Sequence, residues 1–72
     1  MNNTIVISEN MQYSIKCINE LHKHYNTDYS ININDYLSVD DCKKDCKIAI
    51  DELFQEGYFD FNFKLFLLDM LK

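Results

Sequence analysis

Cys42 and Cys46 stand four residues apart, a spacing that on a helix sets two thiols on one face, within reach of a single metal ion. Cys17, His22 and His24 supply further sulfur and nitrogen donors that would complete a zinc shell. Structural zinc sites usually hold their cysteines on a tight knuckle, and a pair inside a helix is a weak version of that. Both cysteines also fall on an apolar stripe, where a free thiol behaves as a small hydrophobe. The expectation is two core cysteines and no metal or cofactor. Catalytic patterns are equally thin. No serine or cysteine nucleophile lies beside a histidine in a known local arrangement, and no glycine-rich loop is present to cradle phosphate. No carboxylate pair stands apart from the general acidity. The chain reads as a protein that binds, without catalysis.

Charge is the stronger signal. Twelve acidic residues oppose seven basic ones, all lysine, for a net charge of −5. Asp40, Asp41, Asp45, Asp51, Glu52 and Glu56 crowd the second half of the chain and form a candidate partner-binding surface. Such carboxylates can occupy a basic nucleic-acid groove on another protein, presenting negative charge where phosphates would sit. Interleaved with them, Lys43, Lys44 and Lys47 are candidate DNA contacts. An acidic field repels the phosphate backbone that supplies most non-specific affinity, and the chain lacks the arginine best suited to reading guanine. DNA is thus the less favoured partner.

These residues need elements to position them. Hydrophobic residues make up 47% of the 72, including five Phe and five Tyr, enough apolar surface for one small core. One glycine and no proline leave little material for loops, so a mainly helical single domain over residues 1–72 is expected. Thr4, Ile5, Val6 and Ile7 form a short β-prone run, after which Ser8 can cap a helix. Met11, Ile15, Ile18, His22 and Tyr25 then repeat at helical spacing, with Cys17 and Leu21 widening the stripe, which predicts a helix over residues 9 to about 25. His22 belongs to its inner face and His24 to its outer one. Asn26, Thr27 and Asp28 supply a turn. Residues 30–33 alternate like a short strand, and residues 34–37 suit one helical turn.

Ser38 with Asp41 resembles a capping box, and Val39, Cys42, Cys46, Ala49, Ile50 and Leu53 form one apolar stripe. Gly57 supplies a left-handed stop, with Tyr58 packing back against the helix it ends. Residues 58–61 alternate as a short strand, and a last helix is predicted from residue 62 to about 71. That helix carries Leu65 and Leu68 outside its inner stripe, making them candidates for homodimer or partner contact.

With these elements placed, residues 11 to about 61 resemble a winged helix-turn-helix domain. Leu37 would close its second helix, Ala49, Ile50 and Leu53 would be core positions of its third, and Gly57, Tyr58 and Phe59 would enter its wing. The resemblance implies a mainly α fold with short β-strands, a winged-helix-like three-helix core with an additional C-terminal helix, the wing hairpin being replaced. It also implies a recognition helix whose exposed lysines would enter the major groove.

Two functions follow. The favoured one is a small acidic regulator or inhibitor acting by protein contact, of the kind phages and mobile elements use against nucleic-acid-handling complexes, anti-CRISPR proteins included. The alternative is a dimeric DNA-binding transcriptional regulator. The opening residues have no basic stretch and only a short apolar run, and no membrane-spanning segment is present, so a cytoplasmic location is expected.

Overall fold

The computed structural model describes residues 5–72 and contains three α-helices joined by short connections. Helix α1, Glu9–His24, starts where Ser8 accepts a hydrogen bond from the Met11 amide at 3.1 Å. Its buried residues, Met11, Ser14, Ile15 and Ile18, repeat at three- and four-residue intervals and define the inner face. It ends on Asn26, whose φ of 59° is left-handed. The Asn26 amide donates to Lys23 O and the Thr27 amide to His22 O, which satisfies carbonyls that the helix end leaves free.

The connection that follows is extended but is no strand. Asn19 on α1 donates its amide to Ile31 O at 2.9 Å and accepts from the Ile31 amide at 2.8 Å. One side chain thus meets both backbone groups of the residue at the centre of the expected strand, and Ile31 is buried beneath it. Asn32 then caps a single 3-10 turn, Ile33–Asp35. That turn stands where a second helix was expected, and Leu37, predicted to close it, is 86% exposed.

Helix α2, Val39–Gln55, forms where its signals predict. Ser38 accepts from the Asp41 amide at 3.1 Å, and Asp40 and Asp41 sit at the positive end of the helix dipole. Cys42, Cys46, Ala49, Ile50 and Leu53 are its buried face. At its end Gly57 has φ of +86°. The Gly57 amide donates to Phe54 O at 3.0 Å and the Tyr58 amide to Leu53 O at 3.1 Å, the paired bonds of a left-handed helix stop.

Helix α3, Phe61–Asp69, begins immediately. Asp60 accepts from the Phe63 amide at 2.8 Å, so the aspartate read as part of an alternating strand is instead the cap of a helix. Only Tyr58 and Phe59 separate the glycine stop from that cap. Helix α2 packs against both α1 and α3, and Leu67 and Leu71 bring the last segment into the core. Ser14, fully buried on α1, donates to Leu67 O at 3.2 Å. Because the Leu71 amide turns to Leu68 O, the serine hydroxyl serves a carbonyl near the end of α3 that lacks its helical donor.

Several expectations are corrected. The fold is a small all-α domain and not an α+β one, with no β-strand among the described residues. Of the run at residues 4–7, Thr4 lies outside the described residues and the rest is not a strand. No wing follows Gly57. The C-terminal helix is the third of three helices and not an addition to a three-helix core. Among the described residues, no helix is long and apolar enough to cross a membrane.

Candidate protein-contact surface

Helical geometry sorts the charges that the sequence interleaves. At about 100° per residue, Asp41, Asp45, Glu52 and Glu56 fall along one edge of α2, whereas Asp40, Lys44, Lys47 and Asp51 follow the other. Ile48, 52% exposed, lies between the two. The six candidate acids therefore do not form one surface. Four make an acidic row spread over about 22 Å of helix, and two share an edge with lysines.

Their surroundings differ as much as their positions. Asp51 Oδ1 lies 3.1 Å from Lys64 Nζ, and its Oδ2 accepts from Gln55 Nε2 at 2.8 Å. Lys64 is mostly buried, with its ammonium 4.6 Å from the centre of the Phe54 ring. Asp51 thus fastens α3 to α2. The other ion pair among the described residues joins Lys72 and Asp69. Neither pair involves the acidic row. Within that row, among the described residues, only Asp45 uses its side chain for a hydrogen bond in the fold, accepting from the Tyr36 hydroxyl at 2.8 Å. Burial, and then the Asp45 carboxylate, hold the Tyr36 phenol well above its ordinary pKa. Asp41, Glu52 and Glu56 are exposed.

The lysines are less uniform than their spacing implies. Lys44 and Lys47 are exposed, while Lys43 is half-buried. The weak metal candidates disperse. Cys42 and Cys46 are fully buried in the core, and Cys17 is half-buried on α1. Burial, reinforced by the neighbouring Cys42 thiol, pushes Cys46 up to about 12, and burial raises Cys42 as well. His22 Nδ1 is engaged by Thr27 Oγ1 at 2.7 Å, and His24 packs edge-on to Tyr25. No group of three potential metal ligands converges among the described residues.

A cleft that the sequence did not reveal opens beside the acidic row. His22, Tyr29, Glu52, Glu56 and Tyr58 are among the residues that line its roughly 370 Å³, drawn from the end of α1, the loop after it and the end of α2. Elsewhere on the surface, α3 exposes Phe61 and Leu65, at 55% and 47%, and Phe66 beside Tyr13. Leu65 is thus open for contact. Leu68 is half-buried against the core, which places it at the margin of any such face. Compared with protein-family models, curated proteins and solved structures, the chain gives no match to any of the three.

Proposed function

We propose that the protein is a small non-catalytic module that regulates or inhibits a nucleic-acid-handling complex through protein contact, its acidic row meeting a basic surface on the partner. The observation that carries this is the separation on α2. Asp41, Glu52 and Glu56 meet no cation among the described residues, while Asp51, on the other edge, is tied into the fold. Four carboxylates in a row are costly to hold together and gain most by meeting a partner's positive charge. On this reading the winged-helix-like order of α1, the 3-10 turn and α2 is a scaffold that works without a wing. Leu65, with Phe61 and Phe66, adds an apolar face for a partner or a second copy.

DNA binding is the second reading, and one observation favours it. Lys43, Lys44 and Lys47 gather on the side of α2 away from the acidic row, where Lys64 neutralises Asp51. The acidic row ranks first because a helix is only about 10–12 Å across, close to one Debye length at physiological salt. Phosphates laid on the lysine edge would feel all four carboxylates.

Fluorescence anisotropy with a random DNA duplex separates the two. At about 50 mM salt, micromolar protein is expected to leave the duplex unbound. Binding that weakens steeply with salt and is abolished by Lys43→Ala or Lys47→Ala would overturn the protein-contact reading.

A further inference from the structure

The cleft beside the acidic row has a chemistry of its own. Glu52 and Glu56 stand one helical turn apart on its rim, and Tyr29 and Tyr58 present aromatic rings. Both rings are held in place. Tyr25 stacks on Tyr58 with centroids 4.0 Å apart and planes 13° from parallel, and His22 meets Tyr29 edge-on at 5.0 Å. The Tyr29 phenol is raised by burial and then by the Asp45 carboxylate, with Glu52 adding to the effect, which marks the local field as negative.

His22 adds a specific need. The Thr27 hydroxyl donates to His22 O at 3.2 Å, so its oxygen is left to accept from His22 Nδ1 at 2.7 Å. That pair of bonds fits the ring tautomer that carries its proton on Nδ1, in which Nε2 is an acceptor. That Nε2 is buried and has no hydrogen-bond partner among the described residues. A buried acceptor without a donor is unfavourable, and it lies on a residue that lines the cleft.

We propose that the cleft takes the guanidinium of an arginine side chain from a basic protein partner. Carboxylates on the rim neutralise the charge, and the tyrosine rings offer faces on which a flat guanidinium stacks, with His22 lining the same cleft. An ammonium satisfies the charge but stacks less well, so arginine should be preferred to lysine. The inference rests on the protein-contact reading and names the side chain that one part of that surface would recognise.

Acetylated hexa-arginine and hexa-lysine peptides test it, with affinity measured alongside amide and aromatic chemical shifts. The arginine peptide is expected to bind about threefold more tightly and to move the signals of His22, Tyr29 and Tyr58. Glu56→Gln, on an exposed position, and Tyr29→Leu should each erase that preference while hexa-lysine still binds. Equal affinities, with shifts confined to the Asp41 and Asp45 end of the row, would overturn the arginine cleft and leave the contact reading intact. Binding of neither peptide at low salt would overturn both.

Discussion

Along one edge of α2, Asp51 is clasped by Lys64 and Gln55 and draws α3 onto the helix. Along the other, Glu52, its immediate neighbour in sequence, meets no cation among the described residues. The two residues share a chemistry and a helix, and one step of about 100° separates them. Charge by itself therefore says nothing of role, and the partner decides. An acid with a partner inside the chain belongs to the fold. An acid in a row of its kind, left to solvent, is free to meet a partner, which is the role proposed for it.

That contrast can be broken most forcefully from within. Ile50, fully buried on α2 between the two helices that pack on it, should cost about 2–5 kcal/mol as Ile50→Ala in urea unfolding. Next is Ser14→Ala, which strands the buried Leu67 carbonyl and should cost about 1–3 kcal/mol by the same measurement. Gly57→Ala should cost about 1 kcal/mol. A Cβ there meets nothing within 4 Å, so the loss comes from the backbone conformation alone. The smallest effects sharpen the comparison itself, because they should differ in sign. Asp51→Asn should destabilise by less than about 1 kcal/mol, since its ion pair is partly solvated. Glu56→Gln should be neutral or stabilising by about 0.3 kcal/mol, because Glu56 caps the negative end of the α2 dipole. If thermal unfolding showed Glu56→Gln losing as much as Asp51→Asn, the row would belong to the fold after all.

Solution pH offers a check on the core between these edges. Burial holds the Cys46 thiol up to about 12, against about 9 for a solvated thiol. Below pH 9 the thiol is protonated in both the folded and the unfolded chain, and the full stability is present. Between about 9 and 12 the unfolded chain ionises first, so the urea midpoint should fall across that window. A Cys46→Ala variant should lose this part of the fall.

Much of the helical frame was legible because its signals are local. Ser38 three residues before Asp41, and Gly57 at the end of an apolar stripe, specify where α2 starts and stops with no knowledge of the rest. The strands failed where the deciding contact was distant. Ile31 looks like a strand centre until Asn19, twelve residues earlier, occupies both of its backbone groups. Asp60 is ambiguous in another way, since an alternating polar residue and a helix cap look alike in sequence. The surface divides similarly. Its carboxylates are visible as letters, but the Lys64 that withdraws Asp51 lies thirteen residues away. The cleft joins His22, Tyr29 and Glu52 from three segments, and no short pattern links them.

Calorimetric titration of hexa-lysine peptide into three forms of the protein tests the central claim most directly. Relative to the parent chain, the Asp41→Asn/Glu52→Gln/Glu56→Gln variant should bind about tenfold more weakly, at roughly half a kcal/mol per charge, while Asp51→Asn should bind almost unchanged. Equal losses in the two variants, or a loss confined to Asp51→Asn, would contradict the account.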